Sequence, residues 1–312
     1  MKLCNIRPGM SLAGFYLLKQ ASLRTTAAGK PYLSGILCDR TAAVELKVWD
    51  YSGPLSHQDE GAVVCVQGRV SEFKGTLQVT AERIRPALPE DRYELSLLVP
   101  TAPLELQQAL DELEGLLDSM QDEGYQAVCR RMLLLHREAF ITIPAAKSVH
   151  HGFVHGLLMH TLNMMKTAAF LAAQYGDFLN RDLLLAGTFL HDFAKIREFR
   201  VSPAGLVSDY TTEGQLLGHL VMGAQEVREV CDACGVTGER SMLLQHMLLS
   251  HHGQPEFGAA VLPQCAEAEL LCYIDLIDSR MEIYRETLEK LEPGQFSEQV
   301  FALDNKRLYC HE

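Results

Sequence analysis

The first 85 residues have the hydrophobic pattern of short β-strands. Apolar and polar residues alternate strictly in Val44–Trp49, and the segment 76–81 repeats this pattern. Gly61–Val70 is a further β-rich run, and Lys74-Gly75 marks a hairpin turn. Five or so short strands without a strong helical pattern predict a small barrel or a sandwich.

The pattern changes to helical spacing after a proline-containing segment. Residues 86–104 hold four of the twelve prolines, which is typical of a linker or an extended crossing segment. Beyond it, apolar residues recur every three or four positions, and we predict that 143–312 forms helices joined by short polar loops. The predicted boundaries are 1–90 for the β-domain, 91–104 for the linker and 105–312 for the helical domain, whose core spans about 143–290.

Composition narrows the class of protein. With 47% hydrophobic and 22% charged residues over 312 positions, the chain is not disordered, collagen-like or a coiled-coil fibre. No apolar stretch approaches the ~20 residues of a membrane span, and the N-terminal residues do not resemble a signal peptide. The nine cysteines are odd in number and scattered, so they do not suggest a disulfide framework. We therefore expect a cytoplasmic protein without a membrane partner.

Charge is distributed unevenly between the two predicted domains. The whole chain carries −12, but residues 1–90 carry +3 and residues 91–312 carry −15. A modest positive charge favours weak, salt-sensitive binding of a polyanion by the β-domain. The acidic balance of the helical part is typical of a solvated surface, although acidic surface also surrounds cation sites.

Most of the histidines lie in the helical domain, and several interrupt apolar runs. His160 follows Leu157-Leu158-Met159, and His191-Asp192 closes the run from Leu183 to Leu190. Burying ionisable groups is costly unless they are paired or bind metal. One such residue alone is more often a satisfied core histidine. Several helices that each offer an imidazole or a carboxylate instead predict a bundle metal site for Mn²⁺, Fe²⁺, Co²⁺ or Zn²⁺.

The order of these residues resembles that of a known enzyme superfamily. His191-Asp192-Phe193-Ala194-Lys195 is similar to the HDxxK motif of the HD superfamily of metal-dependent phosphohydrolases. Other segments of the chain narrow the resemblance to one family, because they are similar to the YhaM-type 3′→5′ exoribonucleases. These segments are Pro144-Ala145-Ala146-Lys147, Tyr210-Thr211-Thr212-Glu213-Gly214, Leu249-Ser250-His251-His252-Gly253, Gly29-Lys30-Pro31-Tyr32-Leu33 and Lys47-Val48-Trp49-Asp50.

This resemblance implies a multidomain protein, with an N-terminal all-β OB-fold barrel in 1–90 followed by an all-α HD domain. It also implies a 3′→5′ exonuclease that hydrolyses single-stranded RNA with a metal-activated water, with DNA left open as a substrate. Polarity rests on the resemblance alone. Alternatives are an HD enzyme acting on free nucleotides or cyclic dinucleotides, and a non-catalytic single-strand-binding factor. Homo-oligomerisation is a further hypothesis.

The resemblance also implies a ligand set for two divalent ions, with Mn, Fe or Co favoured and Mg or Zn open. Asp192 would bridge the ions and Lys195 would contact a phosphate oxygen. Single-metal HD proteins need only four ligands, so the number of ions stays open. The residues implied for the first ion are His160, His191 and Asp275, and those for the second are His219, His251 and His252.

Several other residues receive roles by pattern or resemblance. The resemblance implies that His150 and His151 line the substrate path, with plain polar loop histidines as the alternative. Asp278 shares the helix face of Asp275, so it either supports the ligands or is a helix-surface acid, and we favour the second interpretation. We interpret Thr212 as the start of a capping box for the helix that carries His219. The β-domain residues that we expect to contact a single strand, unless the aromatic rings close the barrel core, are Lys30, Tyr32, Lys47 and Trp49.

Overall fold

The computed structural model describes residues 1–147 and 151–312. It divides into two compact units. The first comprises Met1–Thr101 together with Val201–Ser208, and the second comprises Ala102–Arg200 together with Asp209–Glu312. None of the helices in these described ranges has both the length and the apolar run that crossing a bilayer requires.

The first unit contains a closed five-stranded barrel. Its strands are β1 (Ser11–Thr25), β2 (Pro31–Cys38), β3 (Ala43–Trp49), β4 (Ala62–Phe73) and β5 (Thr76–Pro86). They pair in the order β1-β2-β3-β5-β4 and close on themselves. The β3–β5 pair is parallel and the other pairs are antiparallel. A five-stranded barrel with this order is an OB-fold, which confirms the predicted class.

Alternation along each strand fills the barrel. In β3, Val44, Leu46 and Val48 are buried and the residues between them face outward. The crossing of β4 and β5 requires glycine at position 68, where the register shifts. A Cβ atom there would lie 2.3 Å from the carbonyl oxygen of Thr80, so any other residue would push the two strands apart.

The second unit is helical, as predicted. Its helices are α1 (Leu106–Asp118), α2 (Glu123–Thr142), α3 (Gly156–Gln174), α4 (Arg181–Leu190), α5 (Lys195–Glu198), α6 (Thr212–Ala233), α7 (Glu239–Ser250) and α8 (Ala266–Leu288). Helix α4 is the central element, because every residue from Asp182 to Leu190 is buried. It packs against α2, α3, α7 and α8, which explains why its sequence is apolar on all sides.

Three features differ from the sequence predictions. The strands β6 (Phe199–Val201) and β7 (Val207–Tyr210) form a hairpin where only helices and loops were expected. After α8, residues 289–312 contain one 3₁₀ turn and isolated bridges instead of a helix. Thr211, and not Thr212, caps α6, because its side chain accepts a hydrogen bond from the backbone N–H of Gly214. The ends of elements depend on one hydrogen bond, which periodicity does not resolve.

Candidate metal centre

Five segments of the helical unit bring histidines and aspartates together at one buried point. The elements are α3, the residues that follow α4, the middle of α6, the residues that follow α7, and α8. The seven residues that the resemblance implies as ligands, His160, His191, Asp192, His219, His251, His252 and Asp275, all lie there. His160, His191 and His251 are almost fully buried, at 0%, 0% and 1% exposed. Burying several imidazoles together costs free energy unless their nitrogen atoms are hydrogen-bonded or bind a metal ion.

Asp192 lies at the middle of this cluster, and its two oxygens face different histidines. Its Oδ2 atom lies 3.3 Å from His191 Nε2 and 3.6 Å from His160 Nε2. Its Oδ1 atom lies 3.5 Å from His219 Nε2 and 3.8 Å from His251 Nε2. One carboxylate is therefore shared between two groups of imidazoles.

Each group has enough donor atoms for a cation. His160, His191 and Asp275 offer ligand atoms that all lie within 4.8 Å of one another. His219, His251 and His252 form a second such set. In the first group, the Nε2 atoms of His160 and His191 are only 3.3 Å apart, a distance at which two neutral imidazoles need a proton or a cation between them.

Backbone carbonyls fix the orientation of two of the rings. His191 Nδ1 is 2.8 Å from the carbonyl oxygen of Thr188, and His251 Nδ1 is 2.8 Å from that of Leu248. Because Nδ1–H donates to the carbonyl in each case, the lone pair of Nε2 points toward Asp192. Both residues directly follow a helix, so the last turn of that helix supplies the acceptor.

A carboxylate that sequence analysis missed orients His219. Glu198 is buried, and its Oε1 atom accepts hydrogen bonds from the backbone N–H and from Nδ1 of His219, both at 3.0 Å. Gly218 makes this possible, because its φ of 69° breaks the regular path of α6 just before His219. The sequence offers no specific pattern for Glu198 beyond its place one turn after Lys195.

A second carboxylate, Asp278, orients His160. Its Oδ2 atom is 2.7 Å from His160 Nδ1 and 2.7 Å from His151 Nε2. The interpretation of Asp278 as a helix-surface acid is therefore wrong, because position i+3 from Asp275 points it at the buried side of α8. His151 is 0% exposed and contacts Asp278, and its place on a substrate path stays a prediction. His150 lies outside the described residues.

The cluster fits a divalent cation, because buried donor atoms that point into it have no other partner. Within the described ranges, Asp192 Oδ1, His219 Nε2 and His251 Nε2 make no hydrogen bond. Leaving such atoms unsatisfied costs about 1–3 kcal/mol each. Burial and the neighbouring His191 also lower the pKa of His251 well below its usual value, so this imidazole is neutral and able to bind metal near pH 7.

The charges at the centre are strongly coupled. Burial alone would raise the pKa of Asp192, but Lys195 and His191 hold it well below its usual value. Burial likewise opposes a charged His160, yet hydrogen bonds to Asp275 and Asp278 raise the pKa of His160 to about 9. A cation that binds Nε2 therefore competes with the second proton that these carboxylates favour on the ring.

Lys195 contacts Asp192 directly. Its Nζ atom lies 2.7 Å from Asp192 Oδ2, and its side chain is 12% exposed. The structure gives this ammonium group a carboxylate partner one helical turn away, and its contact with a phosphate oxygen, which the resemblance implies, stays a prediction. The side chain still reaches a cleft of about 550 Å³ that His251, His252 and Asp275 also line. The centre is thus open to a ligand from one side.

The four barrel residues lie on neighbouring strands or their connection. Tyr32 pairs with Trp49 across β2 and β3, and their ring centroids are 4.9 Å apart. Trp49 is 49% exposed. Lys47 shares its face, as predicted, and donates a hydrogen bond to Ser34 at 2.7 Å. Lys30, in the β1–β2 connection, forms an exposed ion pair with Asp50 at 3.2 Å. The face formed by β2 and β3 is where OB-folds bind oligonucleotides.

Comparison with family descriptions agrees with this architecture. Residues 157–280 match the HD domain family, and residues 20–87 match the OB-fold nucleic acid binding domain family. The fold and the site together define an HD-domain hydrolase with an OB-fold domain. The barrel is similar to the second OB-fold domain of replication protein A from Methanococcus maripaludis, which it matches at 18% identity over 30% of this chain and 98% of that one. The TM-score is 0.22, and this likeness carries no argument about function.

Full-length relatives place the chain within one family. It is 37% identical to the 3′-5′ exoribonuclease YhaM of Halalkalibacterium halodurans, over 96% of this chain and 93% of that protein. It is 36% identical to YhaM of Oceanobacillus iheyensis, over 96% and 94%. It is 35% identical to YhaM of Listeria innocua, over 99% and 97%. The chain belongs to the YhaM family of 3′-5′ exoribonucleases.

Proposed function

We propose that this protein shortens single-stranded RNA from its 3′ end by metal-dependent hydrolysis of phosphodiester bonds. The observation that carries the proposal is the position of Asp192, whose two oxygens face two separate groups of imidazoles. The relatives named above are 3′-5′ exoribonucleases, and the barrel supplies a domain of a nucleic-acid-binding class. Single-stranded DNA is a second substrate to test.

We infer that this centre binds two divalent ions and that Asp192 is a ligand of both. One would be held by Asp192 Oδ2 with His160, His191 and Asp275, and the other by Asp192 Oδ1 with His219, His251 and His252. The imidazole-rich donor set suits Mn²⁺, Fe²⁺ or Co²⁺, with Zn²⁺ or Mg²⁺ as alternatives. Bound ions of this kind lower the pKa of water and neutralise charge on the phosphate.

The chain's own residues prepare the site for that chemistry. Glu198 and Asp278 hold the rings of His219 and His160 in fixed orientations, so little reorganisation is needed on binding. Lys195 neutralises part of the charge of Asp192 and presents its ammonium group at the edge of the cleft. The buried residues around α4 keep bulk water away from the carboxylates. The dielectric constant there is therefore low, which strengthens each charge interaction.

The barrel would hold the strand that the centre shortens. Tyr32 and Trp49 offer adjacent rings for base stacking, and Lys30 and Lys47 offer charge for the backbone. With a net charge of +3 on residues 1–90, this binding is expected to be weak and salt-sensitive. Such contacts position RNA without reading its sequence.

The test uses a 5′-labelled single-stranded RNA with Mn²⁺ or with chelator. The wild-type protein is expected to give a ladder that shortens from the 3′ end only when metal is present. Asp192→Ala is expected to bind the RNA without cleaving it, and Asp192→Asn guards against a folding defect from an unpaired Lys195. The matched control is Asp232→Ala, which removes an exposed carboxylate from an ion pair with Arg228.

Other outcomes would redirect the proposal. RNA that is bound but intact in every sample would favour a binding factor. RNA that is neither bound nor cut would direct attention to free nucleotides and cyclic dinucleotides. Fragments that lose the 5′ label first would reverse the polarity.

We also infer that the protein works in the cytoplasm, because all nine cysteines are free thiols and reducing compartments maintain that state. Homo-oligomerisation stays a hypothesis, and sedimentation at several protein concentrations tests it.

A further inference from the structure

The cleft beside the metal centre has a second wall that the centre does not use. His251, His252, Asp275 and Lys195 line one side of its volume of about 550 Å³. The remaining lining includes Tyr273 and Arg280 of α8, together with Phe257. A cavity of this size is within the range of small-molecule sites, about 300–1,000 Å³. It therefore has room for a nucleotide that approaches the ions.

Helix α8 contributes Asp275 to the first wall and Tyr273 and Arg280 to the second, which fixes the spacing of these three residues. Tyr273 precedes Asp275 by two residues and Arg280 follows it by five. At a rise of about 1.5 Å per residue, Arg280 lies about 7.5 Å further along the helix axis than Asp275. The lining of the cleft, which includes Asp275, thus also contains an aromatic ring and a guanidinium group from the same rigid helix.

Tyr273 presents an exposed ring to the cleft. Its exposed fraction is 52%, so the ring is not part of the helical core. Stacking of a base on an aromatic ring contributes about 1–3 kcal/mol and does not depend on which base is present. A contact of this kind suits the removal of a terminal nucleotide irrespective of its base.

Arg280 offers a cation at the same cleft. Its Nη2 atom donates to Asp304 at 3.1 Å, and its side chain is 28% exposed. A guanidinium group has five donors, so this ion pair leaves donors for a phosphate. Lys195, by contrast, already contacts Asp192. Arginine also matches the geometry of phosphate oxygens better than lysine does.

We propose that this cleft binds the 3′-terminal nucleotide of the RNA, with its base stacked on Tyr273 and a phosphate next to the scissile one held by Arg280. The inference rests on the proposed exonuclease function. It assigns two substrate-binding residues to the helical unit, separate from the strand-binding face of the barrel.

The experiment compares two RNA substrates that differ only at the 3′ end, one with a terminal adenosine and one with an abasic terminal nucleotide. Both are cleaved with Mn²⁺, and kcat and KM are measured for each. Wild-type protein is expected to prefer the adenosine end by about tenfold in kcat/KM, as expected for the loss of one stacked base. The abasic RNA is the internal control, because stacking on Tyr273 is already missing.

Tyr273→Ala is expected to lower kcat/KM for the adenosine end by about tenfold and to leave the abasic end unchanged. Tyr273→Phe keeps the ring and is expected to keep the preference. Phe170→Ala removes a ring that is 69% exposed outside the cleft and is the matched control. Equal losses on both substrates, or no loss on either, would overturn the role of Tyr273. A wild-type protein without preference would overturn it as well.

Arg280→Ala is expected to raise KM for both substrates by about tenfold with little change in kcat. Asp304→Asn removes the ion pair but keeps Arg280, so RNA binding should be retained. If Asp304→Asn weakens binding as much as Arg280→Ala, then Arg280 only holds the segment around Asp304, and the phosphate contact is wrong. Arg228→Ala, which breaks an exposed Arg–Asp pair elsewhere, is the control.

The same experiment distinguishes failure of the Tyr273 and Arg280 contacts from failure of the proposed exonuclease function. If wild-type protein shortens neither RNA, the exonuclease proposal fails and this inference fails with it. If it shortens both RNAs but the variants at 273 and 280 match their controls, only the inference fails.

Discussion

The barrel face and the metal centre both present residues for nucleic-acid chemistry, but they are built in opposite ways. On the barrel, Trp49 is 49% exposed and the side chain of Lys30 is 66% exposed. At the centre, His160 and His191 are 0% exposed, and Asp192 is 2% exposed. The barrel face belongs to neighbouring strands, whereas the centre joins segments separated by more than a hundred residues.

This difference predicts how each region responds to mutation. Exposed stacking and charge contacts contribute additively and modestly, because water competes for every one of them. Buried ligands act together, because the removal of one leaves the others unpaired in a low dielectric. Removal of one ligand at the centre should therefore impair the whole centre, whereas each substitution on the barrel face should weaken RNA binding by a modest amount.

The largest effect is expected when the shared carboxylate is removed. Asp192→Asn should lower the cleavage rate by more than roughly 10³-fold and reduce the metal bound per chain, because both groups lose their common ligand. Cleavage of labelled RNA and metal content by elemental analysis measure the two effects. Retention of full metal content would show that each group binds its ion without Asp192, and Asp232→Asn is the control.

A smaller effect is expected when the orientation of one ring is released. Asp278→Asn should weaken metal binding by about 10–100-fold, because His160 loses the carboxylate that holds its Nδ1 atom. Isothermal titration with Mn²⁺ measures this, and affinity for RNA should not change. Glu198→Gln is the matched variant for His219. If only one of the two changes the titration, the two groups differ in how much they rely on a supporting carboxylate.

On the barrel, loss of one ring should weaken RNA binding without affecting the chemistry. Trp49→Ala is expected to raise the Kd for single-stranded RNA by about tenfold, with kcat unchanged at saturating RNA. Fluorescence anisotropy under chelation measures the Kd. Trp49→Phe should restore much of the affinity, and Phe178→Ala, which removes an exposed ring outside the barrel, should have no effect. A drop in kcat would contradict the separation of the two regions.

The smallest effect is expected from one surface charge. If Lys30 contacts a phosphate, Lys30→Ala should lower the slope of log Kd against log salt by about 0.7. Its ion pair with Asp50 is exposed and contributes little to stability, so thermal unfolding should not change. Asp50→Asn keeps the cation and should keep the slope. An unchanged slope for Lys30→Ala would place this lysine outside the RNA path.

Much of the fold follows from local pattern. Strict alternation in β3 places Val44, Leu46 and Val48 inside the barrel, because a strand directs successive side chains to opposite faces. The apolar run before His191 similarly predicts a buried helix, and α4 is buried throughout. The order of histidines and aspartates, together with the HDxxK motif, points to a phosphohydrolase before any distance is known.

Local pattern did not decide which side chains support the ligands. Asp278 shares the helix face of Asp275, but the spacing alone did not distinguish a supporting residue from a surface acid, and its contacts with His151 and His160 span more than a hundred residues. Glu198 has no motif, and only the break at Gly218 brings His219 onto it. The direction of an imidazole nitrogen depends on the acceptor that holds the opposite nitrogen. For His160 and His219 that acceptor comes from another helix.

The sequence by itself thus determined the two domains, the residue types at the centre and the class of chemistry. Periodicity and motif order depend on neighbours along the chain, and those are present in any conformation. Only the tertiary structure decided how far each oxygen of Asp192 lies from the two groups, that Lys195 contacts it, and that His151 is buried. These properties are distances between remote segments, and packing around α4 sets them.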